Sequence, residues 1–222
     1  MGELAFVLVG ALVAIHGAVR AAWSPCGQSM LASLTPVAER ARGSSWAITV
    51  TAFAVGAVGA GAAGGGLLGG AGSLLPGERW RAPTVVAILL AALVIDGTPL
   101  RRRMPLTKRQ VNEDWMYRYR GWVYGFGFGA QLGLGFISLV GCAAIYATFA
   151  IELTSGSVMA GAVVGAVFGA TKAATLIPTR FARDHESLLE LHRRLLRMDT
   201  GAQRAVVVAE LLALLALAGV LV

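Results

Sequence analysis

Two cysteines are the residues of this 222-residue chain best suited to covalent chemistry. Cys26 sits in Trp23-Ser24-Pro25-Cys26-Gly27-Gln28, where Pro25 and Gly27 interrupt a long apolar segment. Cys142 sits in Gly141-Cys142-Ala143, deep in a second such segment. Two buried cysteines in separate segments form one possible thiol pair, or they are two small hydrophobic packing residues. They cannot make the disulfide framework of a small secreted domain. Four ionisable side chains also fall inside apolar segments: His16, Arg20, Lys172 and Glu210. Charges at membrane depth are costly and are usually paired or functional. Lys172 and Glu210 fall at similar depth near one end and are expected to pair. Arg20 has no acidic partner in its own helix, which argues for an anionic substrate. His16 reads as a hydrogen-bonded packing residue. One histidine and two cysteines on different segments do not make a metal-site spacing, so no metal and no cofactor are expected.

Only a membrane protein positions such residues in this composition. The chain is 56% hydrophobic and 14% charged, well below the roughly 25% charged residues of a soluble domain. Several uncharged runs approach or exceed the ~20 residues that cross a bilayer. The net charge of +7 is concentrated in particular connections and reads as topology, with no nucleic-acid partner implied. The first run carries Glu3 and no early lysine or arginine, with Arg20 inside it. It reads as an uncleaved helix and not as a signal peptide.

Six spans are expected, all helical. The first is too long to be straight and should break at Pro25-Gly27. The second, from about Trp46 to Leu68, is rich in glycine, which lets helix backbones approach closely. The third runs from about Pro83 to Ile95. Arg101 to Arg120 is the most polar stretch, and Trp115, Tyr117, Tyr119, Trp122 and Tyr124 resemble an interfacial aromatic belt. The fourth span, about Gly121 to Leu153, is again too long and holds Cys142. The fifth, about Val158 to Ile177, is glycine-rich and ends at Pro178. Asp184 to Met198 has apolar residues at helical spacing with arginines between, as in an amphipathic surface helix. The sixth span starts at about Ala202.

Connections one, three and five hold Arg40, Arg42, Arg101, Arg102, Arg103, Lys108, Arg109, Arg118, Arg120, Arg180, Arg183, Arg193, Arg194 and Arg197. Connections two and four hold only Arg79 and Arg81. The positive-inside rule puts the first set in the cytoplasm and both termini outside. Each half of the chain has an interrupted cysteine-bearing span, a glycine-rich span and a plainer one. Three spans per half insert in opposite directions, which gives an inverted repeat. The expected organisation is one transmembrane domain: a first repeat over 1–97, a basic linker over 98–120 and a second repeat over 121–222.

This layout, with Ser24-Pro25-Cys26 opening a second apolar half-helix, resembles the CcdA/DsbD family of transmembrane thiol–disulfide electron carriers. The resemblance implies that Cys26 and Cys142 are a redox pair beside Pro25 and Gly27; Gly141 stands where the family commonly has a proline and can loosen the helix instead, and Arg20, not a feature of the family, supports the pair from its place six residues before Cys26. It implies electrons carried from cytoplasmic thioredoxin to an extracytoplasmic thioredoxin-like acceptor, as in cytochrome c biogenesis. Arg20, or the amino terminus of the half-helix at Cys26, would then favour the thiolate. Exchange would run through a mixed disulfide with alternating access. The alternative is a small-solute transporter on the same scaffold, with His16, Arg20, Gln28 and Lys172 lining an anion or thiol-compound pathway. A third reading is a structural or assembly subunit.

Overall fold

The computed structural model describes residues 3–75, 78–103, 114–135 and 141–221. Pro76 and Gly77 of the second connection, and Lys108 and Arg109 of the third, lie outside them. The described residues are helical throughout, with no strand among them. Four helical stretches are long and apolar enough to cross a membrane: Glu3–Trp23, Trp46–Ser73, Val158–Phe181 and His185–Gly219.

The first apolar segment is two helices. Helix α1 covers Glu3–Arg20 and passes through a 3-10 turn, Ala21–Trp23, before α2, Pro25–Ser33. Proline has no N–H and suits the first turn of a helix, where that donor has no partner. Ser24 is extended, and its Oγ accepts the Gly27 N–H at 3.1 Å while donating to Ala21 O at 2.7 Å. A Cβ at Gly27 would lie 2.2 Å from Ala21 O, so this tight joint admits only glycine. Helix α3, Pro36–Ala41, repeats the device with Thr35 as its cap.

Helix α4, Trp46–Ser73, runs through the centre. One face packs on α7, Gly121–Leu134, and another on α9, Val158–Ala174. Cβ atoms built at Gly65 and Gly161 would meet the opposite backbone oxygens at 2.2 Å and 2.1 Å. Gly129, on α7, would meet Phe53 O at 2.0 Å. The glycines are therefore the contact surface itself: backbone rests on backbone, and dispersion acts at the shortest available range.

The other elements are α5, Arg81–Gly97, the short α6, Trp115–Arg118, and α8, Ala143–Ser155. Helix α1 packs on α8, α9 and the last helix, α10 (His185–Leu221), and α5 packs on α8 and α10. The apolar interior falls into two clusters. One holds Val13, Leu89, Cys142, Ile151 and Phe168; the other holds Cys26, Leu31, Phe53, Phe128 and Leu176. Large apolar side chains on the outside, such as Leu8, Val55, Leu67 and Leu215, are more than half exposed, as a lipid-facing surface requires.

The carboxy-terminal segments differ from the expected division into a surface helix and a separate sixth span. Helix α10 is continuous over His185–Leu221, 37 residues. No proline interrupts it, and Gly201 alone does not break a helix flanked by good helix formers. The second span also runs further than expected, to Ser73. At one end of the bundle, Ser157 Oγ bonds Glu3 and Arg81 donates to Ser155 O at 3.2 Å. At the other, Leu34 O accepts from Trp46 Nε1 at 3.2 Å and Thr179 Oγ1 at 2.8 Å. The first and fifth connections therefore share an end.

Glycine-to-alanine changes separate contact from propensity. G65A or G161A should lower the stability of the detergent-solubilised protein by about 1–3 kcal/mol through overpacking. G59A, whose Cβ meets nothing within 4 Å, should be neutral or stabilising by up to about 1 kcal/mol. Thermal unfolding of the three variants checks this, and equal effects at all three sites would remove the close-contact account.

Candidate functional site

The two interrupted segments meet. A Cβ at Gly141, next to Cys142, would lie 3.8 Å from the Cβ of Ser24, the cap of the Cys26 half-helix, so the two breaks abut. Cys142 is the N-cap of α8, in extended conformation. Both cysteines are buried free thiols. They lie in different apolar clusters. Lys172, on α9 and 3% exposed, sits within electrostatic range of both sulfurs. Its ammonium lies 5.7 Å from the Phe168 ring centroid.

What holds the junction is Asp96, at the end of α5 and 2% exposed. Its Oδ1 accepts from Ala143 N at 2.9 Å and its Oδ2 from Ala144 N at 3.0 Å. The first N–H groups of a helix have no partner within it, and its amino end carries partial positive charge. A side chain on another helix therefore caps the α8 half-helix inside the apolar interior. The next amide of the turn, Ile145 N–H, is left to the Cys142 sulfur.

Arg20 is not the free cation expected from its own helix. It pairs with Asp199 at 3.0 Å and donates from Nε to Gln203 Oε1 at 2.8 Å. Gln203 Nε2 in turn donates to Asp96 O at 2.8 Å. Trp23 Nε1 donates to Leu195 O at 2.8 Å. The break after α1, the end of α5, the start of α8 and the middle of α10 thus form one hydrogen-bonded node. An arginine satisfied this way argues neither for an anionic substrate nor for a Cys26 thiolate.

The expected Lys172–Glu210 pair does not form. Glu210 is fully buried, no donor reaches either carboxyl oxygen, and the adjacent ionisable group is Asp96. The pairing fails because a span sequence gives depth but not azimuth: α10 faces α1 and α5 here, while α9 faces α1 and α4. His16 bonds its own helix, with Nδ1 2.9 Å from Leu12 O. Gln28 is half-buried on α2 and Pro25 is exposed. Among the described residues no group of three or more histidine, cysteine or acidic side chains is gathered as for a metal.

Two features had no place in the sequence reading. Glu39 is fully buried. It pairs with Arg42 at 2.5 Å and accepts from Tyr124 at 2.5 Å and Thr49 at 2.6 Å, tying α3, α4 and α7. Glu152, 3% exposed, points at the glycine crossing, with an oxygen 3.0 Å from a Cβ built at Gly65. The available signal for both, and for Asp96, was a carboxylate in or beside an apolar segment.

Comparison with known proteins gives relatives of one name. The chain is 32% identical over 174 residues, 75% of its length, to the methylamine utilization protein MauF of Methylophilus methylotrophus. It is 31% identical over 166 residues to the protein of the same name from Paracoccus versutus. The chain spans 60% and 61% of the length of these two relatives. No family model and no solved structure matches.

These relatives overturn the resemblance to the CcdA/DsbD family. With it go the thiol–disulfide electron carrier, its thioredoxin and thioredoxin-like partners, the link to cytochrome c biogenesis and the solute-transporter alternative. The resemblance rested on span layout and a few residues around Cys26. A proline-broken helix with a small thiol beside it also serves plain packing.

The Asp96 cap can be tested directly. D96L leaves two buried N–H groups without acceptors and should cost about 2–4 kcal/mol, whereas D96N keeps one acceptor and should cost less. Maleimide labelling of Cys142 should speed up in the order wild type, D96N, D96L. Labelling that stays equally slow in all three would show that α8 does not depend on Asp96.

Proposed function

We propose that this chain is a six-span inner-membrane protein that serves methylamine utilization as a structural or assembly component. The observation that carries the reading is the match to two MauF proteins over nearly three-quarters of the chain.

The six spans are α1 with α2, α4, α5, α7 with α8, α9 and α10. Exchanging the first three for the last three turns the α4–α7 contact into α9–α1 and the α5–α8 contact into α10–α1, and returns α4–α9 to itself. That exchange supports two inverted repeats over 1–97 and 121–222, joined by the basic linker 98–120. The sharing of one end by the first and fifth connections supports a cytoplasmic basic side and termini outside.

In this reading Cys26, Cys142, Pro25, Gly27 and Gly141 make a joint where two half-helices abut, and Arg20 and Asp96 lock it. Lys172 and Glu210 are buried ionisable side chains near it, Lys172 towards the two sulfurs and Glu210 towards Asp96. A locked joint fits a component that presents a fixed shape to partners. His16 and Gln28 belong to the walls of the two half-helices.

Growth tests the proposal. A Methylophilus methylotrophus strain lacking MauF should regain growth on methylamine when this chain is expressed in its membrane, and should regain it equally with C26A/C142A. D96L should restore growth at least about tenfold less effectively, as expected when a buried cap is lost. Membrane-located wild-type chain that fails to rescue would defeat the methylamine role. Loss of rescue in C26A/C142A alone would defeat the structural role of the cysteines.

A further inference from the structure

We infer that a basic cavity at the end of α4 receives the phosphate headgroup of an anionic phospholipid. The cavity has a volume of about 690 Å³ and lies between the first and fifth connections. Arg40, Arg180 and Arg183 line it together with the hydroxyl-bearing Ser44 and Ser45, and no acidic residue does.

Several arginines of the bundle already have carboxylate partners. Arg42 is taken by Glu39, Arg20 by Asp199, and Arg193, Arg194 and Arg197 by Glu190. Arg40, Arg180 and Arg183 have no carboxylate partner among the described residues. Arg180 is held by stacking, its guanidinium carbon 4.4 Å from the Phe181 ring centroid. Arg40 uses Nε on Pro36 O at 3.3 Å, which leaves its terminal nitrogens free to donate. Guanidinium groups are suited to phosphate by shape as well as charge. Three of them facing one space without a counter-charge repel each other until an anion enters.

Position identifies the anion's source. Trp46 lines the cavity and is the first residue of α4, a helix long enough to span. Its indole is fixed by Leu34 O and by Thr179 Oγ1 at 3.0 Å. Arg180 and Phe181 come from the 3-10 turn that follows α9. A space at the shared ends of two spans lies in the headgroup layer of the bilayer. Phe181 is 61% exposed and Ile177 50% exposed, and they give the cavity an apolar flank beside which acyl chains can lie. Basic pockets at the cytoplasmic ends of spans are suited to such headgroups. The inference rests on the membrane reading above and not on the role in methylamine utilization.

The test uses the purified full chain in detergent, offered equal amounts of phosphatidylglycerol and phosphatidylcholine, with bound lipid read by native mass spectrometry. Wild type should retain the anionic lipid with a preference of roughly tenfold to hundredfold, the range that two or three arginines supply near a membrane surface. R40Q/R180Q/R183Q should lose the preference, R40K/R180K/R183K should keep most of it, and R79Q at the opposite end should keep all of it. Thermal unfolding confirms that each variant is folded. Equal retention of the two lipids by wild type overturns the inference, as does an unchanged preference in the glutamine variant. Displacement of the lipid by millimolar inorganic phosphate also overturns it, in favour of a soluble phosphoanion. A chain that prefers the anionic lipid but does not restore growth on methylamine defeats only the role proposed earlier.

Discussion

The bundle depends on a carboxylate placed where a helix starts in the wrong solvent. Helix α8 begins inside the apolar interior, and its first amides would otherwise be buried donors without acceptors. Each such group costs on the order of 1–3 kcal/mol even in partly polar protein surroundings, and more where hydrocarbon surrounds it. Asp96 meets two of them from another helix. An interrupted span is then possible, and the chain can bring Gly141 against Ser24. Arg20, Gln203 and Asp199 extend the same node to α1 and α10, so both breaks are held by one set of polar groups.

Around that node the packing is of a different kind. Helices α4, α7 and α9 approach until backbone meets backbone, with glycine at each crossing. In lipid no hydrophobic driving force favours helix association, because tails and leucines are equally apolar. Close dispersion contact has to replace it. The two modes divide the molecule. Glycine crossings hold α4 against α7 and α9, with the buried Glu152 beside one of them. Capped, hydrogen-bonded joints hold the places where helices begin and end. Glu39, with Arg42, Thr49 and Tyr124, is a second joint of that type.

The cysteines show how a motif can mislead. Pro25-Cys26 lies at a real helix break, and Cys142 lies at another, so the pattern that suggested redox chemistry has a structural cause. Proline and glycine are needed for the joint, and a small buried residue fits beside each. Nothing in that need distinguishes a thiol used for exchange from a thiol used as a small hydrophobe. The relatives bear the name of methylamine utilization proteins, which takes the chain away from the family that the motif resembles.

Hydropathy and the Pro25-Gly27 pair were enough to read an all-helical chain with helices apolar enough to cross a membrane and the break at Pro25. Those features are local: proline removes a donor, glycine removes a side chain, and apolar length sets which helices can span. Tertiary structure alone decided which polar groups meet. Arg20 found Asp199 and Gln203 on a helix 183 residues away in the case of Gln203, and Asp96 found the start of α8. Lys172 and Glu210 share a depth but face different neighbours. Depth along a span follows from counting residues at fixed rise. Azimuth and partner follow from how the described helices pack, and no single segment contains that information.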